Sequence, residues 1–335
     1  MAPRRGGGSS SSFGSSSSNQ CGSYAFSVPE SKISLAFTAI FFLIFVVLLF
    51  WTCIRTCRRG KVRGLVWLFF SLVLAILASA LNIIISVLQE CSILSAAGTQ
   101  RIAIGLDWAQ MLAEFLLIVI IMITITNALH QGTGAIAKTV SILHSTYLAI
   151  LGIMMITTLA VNTAVTDAAY NSSYSRSTLN LVKHVVPLRI AYYVLAVVAL
   201  LMATASIAVA VLRHHSARSG ALKVWVPLLI IFSLGMVLLN MAGYINRVYT
   251  TVSTYSNAAF FRSILAQQFL QYFFYAMTFI SALAVCGSSQ LDDIAHAGGA
   301  LPHQGATEPK YGDVPLPQSY DNAPEYVPPQ YHNGR

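Results

Sequence analysis

The sequence predicts an all-α, polytopic membrane protein with seven transmembrane helices, its N-terminus outside and its C-terminus in the cytosol. Three observations carry this reading. Of the 335 residues 56% are hydrophobic and only 9% charged. A soluble protein carries about 25% charged residues, so lipid is the natural solvent for this much apolar surface. Seven separate apolar runs each come near or exceed the roughly 20 residues a helix needs to cross the hydrocarbon core. The basic residues, finally, gather in every second connection.

In chain order, residues 1–32 are rich in Gly and Ser and read as a disordered extracellular tail. The opening MAPRRGGGSSSSFGSSSSNQ has no apolar stretch of the signal-peptide kind, so the first span is expected to act as the targeting signal. The seven-helix domain covers 33–286, with runs at 33–54, 65–88, 105–129, 136–162, 185–212, 224–247 and 261–286. A backbone in lipid must satisfy its own hydrogen bonds, which makes helices the expected form of all seven. The longer runs are expected to tilt or to extend past the bilayer. Small residues four apart (Ala75/Ser79, Ala199/Ala203, Thr204/Ala208) suit close packing between these helices. Residues 287–335 hold seven prolines, four tyrosines and six acids without an apolar run, and read as a disordered cytosolic tail.

Orientation follows from the connections. Arg55, Arg58, Arg59, Lys61 and Arg63 lie between spans 1 and 2, Lys138 between 3 and 4, and Arg213, Arg218 and Lys223 between 5 and 6. These nine bases, with no acid among them, mark the cytosolic side. The opposite connections mix Arg101, Arg176 and Lys183 with Glu90 and Asp167. Asn171-Ser172-Ser173, a standard glycosylation sequon, then falls outside. Cys21 and Cys91 are the two cysteines on that oxidising side and are expected to pair as a disulfide, with two free thiols as the alternative. Cys53, Cys57 and Cys286 sit at cytosolic membrane ends, as palmitoylation sites or as buried thiols.

Polar residues inside the spans are the candidate functional groups, because such groups are costly in a membrane. Span 3 carries Asp107, Gln110 and Glu114 at steps of three and four, hence on one helical face. Span 5 carries Arg189, expected to pair with Glu114 or Asp107. Span 6 carries Asn240, Tyr244 and Arg247, and span 7 carries Gln268, Gln271, Tyr272 and Tyr275 on one stripe. All fall in the outer half or at the rim, as does Asn82 in span 2. The inner halves, LLIVIIMITIT in span 3 and VPLLIIFSLGMVLL in span 6, are apolar. The pattern reads as an outward-open polar pocket above a dry floor, or as hydrogen bonds that fix helix packing.

Several function classes are excluded or disfavoured. The net charge of +9 flanks apolar segments instead of forming a basic stripe, which argues against nucleic-acid binding. No CxxC pair occurs, no HxxxH pair accompanies His130, His144, His214 and His215, and no metal or cofactor set is read. Span 7 contains no lysine, which excludes a retinal Schiff base. Span 3 ends Ile125-Thr126-Asn127-Ala128-Leu129-His130, without an acidic-Arg-aromatic triplet, and span 7 lacks an Asn-Pro-x-x-Tyr. A rhodopsin-class receptor therefore has no motif in its favour.

In the tail, Pro328-Pro329-Gln330-Tyr331 matches Pro-Pro-x-Tyr, the ligand of WW domains. A preformed polyproline II turn docks on an aromatic groove at low entropic cost, and the tyrosine fills the adjoining pocket. The partner expected from this match is a WW-domain ubiquitin ligase. Tyr311-Gly312-Asp313-Val314 also fits a Tyr-x-x-apolar sorting pattern.

Seven spans, an outer N-terminal tail and a polar C-terminal tail resemble the fungal seven-span integral-membrane proteins. These include the lipid-translocating-exporter family and its receptor-like relatives. The stretch INRVYTTVSTYSNAAFFRSILAQQFLQYFFYA carries the resemblance through Arg247, Tyr249, Gln268, Phe274 and Tyr275. The exporter family has a glutamate where this chain has Gln268. The resemblance implies a fungal surface or endomembrane protein. Taken together, the sequence predicts a non-enzymatic, receptor- or sensor-like plasma-membrane protein, surrounded by membrane lipid and facing an extracellular small molecule or lipid. A lipid or small-molecule exporter is the second reading and an intramembrane metallohydrolase a third.

Overall fold

A computed structural model of the chain describes residues 29–59, 63–91, 96–130, 135–170, 176–213, 222–249 and 257–288, together with Cys21, Phe26 and Ile93. The stretch 1–20, Asn171 of the sequon, His214, His215 and the tail with Pro328, Pro329 and Tyr331 lie outside the described residues.

Seven long helices follow one another: α1 (Pro29–Arg59), α2 (Arg63–Glu90), α3 (Ala96–Val119, carried on through a π-helical stretch Ile120–Ile125 into Thr126–His130), α4 (Ala135–Tyr170), α5 (Arg176–Arg213), α6 (Leu222–Tyr249) and α7 (Asn257–Cys286). Each holds a segment long and apolar enough to cross a membrane, and the chain is a multi-pass membrane protein. The helices outrun the apolar runs that announce them. α3 starts at Ala96 instead of 105, α4 ends at Tyr170 instead of 162, and α5 starts at Arg176 instead of 185. Hydropathy marks only the part immersed in lipid, whereas a helix continues while its backbone bonds are made. With 36 residues α4 is about 54 Å long, well beyond the roughly 30 Å hydrocarbon core. α1 begins at Pro29 instead of 33, with proline at a position where its missing N–H is not needed and Glu30 in the first turn.

Sequence neighbours pack as spatial neighbours, and α7 closes the bundle against α1 and α2. α3 is the central helix: 56% of its apolar window is buried, against 28% for α1 and α4. Its π-helical stretch touches α2, α4, α5 and α7. The outer faces remain apolar, as with Leu43, Val47, Phe50 and Ile54 on α1, all more than half exposed. In water that arrangement would be untenable, and in lipid it is the expected one. On the inner face of α1, Phe37, Phe41 and Phe45 recur every four residues and meet the rings of α7. Phe41 stacks on Tyr272 with centroids 5.6 Å apart, and Phe45 meets Tyr275 at 5.6 Å and Phe279 at 5.9 Å. Ala75, Ser79, Ala199 and Ala203 are buried at helix seams, but Ala208 is exposed, so the Thr204/Ala208 spacing makes no seam.

The π-helical stretch went unannounced in the run LLIVIIMITIT. Widening the helix frees carbonyls, and side chains take them up. Thr126 Oγ1 donates to the Ile121 carbonyl at 3.1 Å. His144 Nδ1 donates to the Met122 carbonyl at 2.9 Å, while its Nε2 meets Ser206 Oγ at 3.2 Å, so one buried ring ties α3, α4 and α5 together. Gly64 on α2 allows the close approach of Thr124, whose methyl fills the space a Cβ would need.

At the opposite end of the bundle, Cys21 and Cys91 form a disulfide. The Phe26 N–H donates to the Glu90 carboxylate at 3.1 Å, from a left-handed turn with φ 57°. Two adjacent residues at the end of α2 thus fasten the N-terminal segment. Of the remaining cysteines, Cys286 is buried, Cys57 exposed and Cys53 intermediate.

Candidate functional site

A cavity of about 610 Å³ opens at the disulfide end of the bundle, between α2, α3, α4, α5, α6 and α7. Helix periodicity builds its walls. Asp107, Gln110 and Glu114 descend one face of α3, and Asn240, Tyr244 and Arg247 rise along α6, which runs antiparallel through the layers. α7 contributes Gln268, Gln271, Tyr272 and Tyr275, and α5 contributes Arg189. The structure therefore places all eleven of these sequence-derived positions around one space.

Near the mouth, Asp107 is the hub. Arg189 Nη1 donates to its Oδ2 at 2.9 Å and Nη2 bonds Oδ1, a bidentate pair. Asn162 Nδ2 of α4 donates to the same Oδ2 at 3.0 Å. Of the two acids weighed as partners of Arg189, Asp107 makes the ion pair. The Arg189 guanidinium also lies over the Tyr244 ring, 5.2 Å from its centroid. Next door, Trp108 Nε1 donates to Thr163 Oγ1 at 3.0 Å, fixing α3 against α4. Arg247 is exposed at the rim.

Across the cavity, Asn82 Nδ2 donates to the Tyr272 hydroxyl at 2.9 Å, joining α2 to α7. Ser34 Oγ donates to Gln268 Oε1 at 3.4 Å. Gln267 Nε2 reaches the Leu239 carbonyl at 3.3 Å by lying over Gly243, where a Cβ would collide with it.

Lower down, Glu114 is 4% exposed, receives a hydrogen bond from Gln110 Nε2 at 3.3 Å and faces the Asn240 amide. Asn240, Tyr192 and Tyr275 surround it within electrostatic reach. Among the described residues, the Asn240 carbonyl oxygen and the hydroxyls of Tyr192 and Tyr275 have no hydrogen-bond partner. Beneath this level Leu117, Ile118, Ile121, Ile125, Leu229 and Phe279, each at most 2% exposed, form a packed apolar layer interrupted by small hydroxyls such as Ser233 and Thr278 and by His144.

Sequence reasoning missed Asn162, Gln100, Thr166, Tyr193 and Gln267, which also line the cavity. Asn162 was the last residue of its apolar run and Gln100 and Thr166 lay in assumed loops; the longer helices bring all three inside. An apolar groove of about 790 Å³ lies at the other end, between α1, α6 and α7, with Trp51, Trp225 and Leu283 among its walls and Arg55 at its end. Among the described residues, no three His, Cys, Asp or Glu side chains are grouped to hold a metal ion. No protein-family model matches the chain, and no curated protein or solved structure is detectably similar to it.

Proposed function

We propose that the chain is a non-enzymatic, receptor- or sensor-like protein of the plasma membrane, whose cavity faces the exterior and takes a small molecule. One observation carries the reading: the cavity is lined by acids, amides and tyrosines at the disulfide end, and the packed apolar layer below it closes the bundle. A carrier needs a polar site near the midplane that opens to both sides in turn, whereas a sensor needs an outer pocket alone. The orientation is supported by the nine bases at the opposite connections and by the disulfide, which belongs to an oxidising compartment. The resemblance of residues 245–276 to fungal seven-span proteins fits this reading.

Lipid export is the second reading, favoured by the apolar groove that opens sideways between α1 and α7. Cysteines placed at Gln110, Ile121, Gln271 and Thr278, with Cys53, Cys57 and Cys286 replaced, separate the two. A membrane-impermeant thiol reagent is expected to modify positions 110 and 271 from the outer face only. Modification of the same positions from both faces means a transport pathway and refutes the sensor reading.

A further inference from the structure

We infer that the floor of the cavity is a cation site centred on Glu114, which takes the ammonium group of a small amine. The inference rests on the outward-facing cavity proposed above and names the chemistry of its ligand.

Charge balance comes first. Asp107 and Arg189 neutralise each other through their bidentate pair, and Arg247 stands exposed at the rim. Glu114 lies seven residues further along α3, about 10 Å deeper. It makes no ion pair among the described residues, and the amides that approach it, Gln110 at 3.3 Å and Asn240, are neutral. A carboxylate that deep in a membrane protein is costly without a counter-charge.

The second observation is independent of charge. Asn240 is 6% exposed, Tyr275 8% and Tyr192 1%, and the Asn240 carbonyl and both hydroxyls lack partners among the described residues. Asn240 and Tyr275 line the cavity itself. Buried polar atoms in native proteins are nearly always satisfied, and each one left open lowers stability. Three such atoms around one carboxylate describe a place completed by something else.

The donor and acceptor inventory names that something. Glu114, the Asn240 carbonyl and the two phenols offer oxygen acceptors, and the tyrosine rings offer π faces. An ammonium group presents several N–H donors and a positive charge, which satisfies the oxygens and is attracted by the rings. An anion would meet the Glu114 charge, and a neutral polyol would leave that charge unbalanced. An alkali ion shares the oxygen chemistry of the site. The space above favours an organic amine: 610 Å³ lies within the roughly 300–1,000 Å³ of small-molecule sites and far exceeds a bare ion. The body of the amine then rises between Gln271 and Tyr244 towards the mouth.

The test uses the full chain in lipid nanodiscs, with thermal unfolding followed as probes are added. The probes are methylammonium, phenethylammonium, spermidine, the neutral 2-phenylethanol and sodium chloride. At least one ammonium probe is expected to raise Tm in a saturable way, with 2-phenylethanol inert. Glu114→Gln keeps the shape and removes the charge, and is expected to weaken the apparent affinity by about tenfold or more. Should that variant not fold, Asn240→Leu and Tyr275→Phe keep the carboxylate and are each expected to weaken binding several-fold. Sodium that raises Tm by itself and displaces the ammonium probe assigns the same site to an alkali ion. The inference is overturned if no cation shifts Tm, if the alcohol binds as well as the amine, or if the variants bind like the parent. One-sided cysteine labelling without cation binding leaves the outward cavity standing and removes the cation site; two-sided labelling with binding intact does the reverse.

Discussion

Replacing Asp107 by alanine is the most direct probe of how the cavity mouth is held. The carboxylate receives two hydrogen bonds from Arg189 and one from Asn162, joining α3 to α5 and α4. Alanine removes all three and leaves a guanidinium between helices with no acid on it. Breaking a fully buried pair costs about 3–5 kcal/mol. Here the two side chains retain 16% and 19% exposure, so solvent offsets part of the loss and about 2–3 kcal/mol is expected. Asp107→Asn keeps one carbonyl acceptor and is expected to lose about half as much. The double variant Asp107→Ala/Arg189→Met leaves no orphaned charge and should be more stable than Asp107→Ala alone. The resulting coupling is about 2 kcal/mol. The assay is the free energy of unfolding in bicelles, read by a binder that traps the opened helices. A double variant that loses the sum of the single losses would show that the pair holds nothing together.

Three further outcomes are expected. Peptide mapping without reduction should recover Cys21 linked to Cys91, and Cys91→Ser should lower stability by up to about 4 kcal/mol for a closed loop of 70 residues; two alkylated thiols refute the link. His144→Leu deprives the Met122 carbonyl of its donor and should cost about 1–3 kcal/mol, more than Ser206→Ala, and equal losses would refute the anchoring role of the ring. We propose that the C-terminal tail recruits a WW-domain ubiquitin ligase through Pro328, Pro329 and Tyr331, with Lys310 as an acceptor; Tyr331→Ala should then lengthen the surface half-life after synthesis is blocked, and an unchanged half-life discards the motif.

The seven spans were legible because hydropathy over some twenty residues is a strong, additive signal. The polar faces of α3 and α6 were legible as well, since spacing by three and four needs only the helix period. What stayed hidden has physical reasons. Helix ends beyond the lipid carry Asp167, Thr166 and Arg176, whose polarity reads as loop although the backbone stays helical. The choice of Asp107 over Glu114 as partner of Arg189 depends on the relative rise of α3 and α5, which no single-helix pattern contains. The π-helical stretch is met by His144 from α4, itself bonded to Ser206 of α5, contacts that no single-helix pattern contains. The role of Glu90 in binding the Phe26 N–H likewise exists only once the disulfide has brought the N-terminal segment over α2.

Polar groups that serve helix packing alone satisfy themselves on the nearest backbone, and many buried polar groups away from the cavity do so. Thr52 donates to the Leu48 carbonyl at 2.8 Å, Thr278 to Phe274 at 2.7 Å, Ser71 to Ala113 at 2.8 Å and His144 to Met122 at 2.9 Å. Ser281 is an exception, with an unpartnered hydroxyl. Around the cavity contacts between side chains are added to such backbone bonds, which Ser79, Thr166 and Gln267 still make there. Asn82 bonds the Tyr272 hydroxyl, Asn162 bonds Asp107 and Gln110 bonds Glu114, each a contact between side chains. Among the described residues the Asn240 carbonyl and the hydroxyls of Tyr192 and Tyr275 have no partner. If packing were the sole purpose of these residues, apolar side chains of similar size would serve better, because they would carry no desolvation cost. The partnerless polar atoms around one space are what the proposed small-molecule pocket accounts for and packing alone does not.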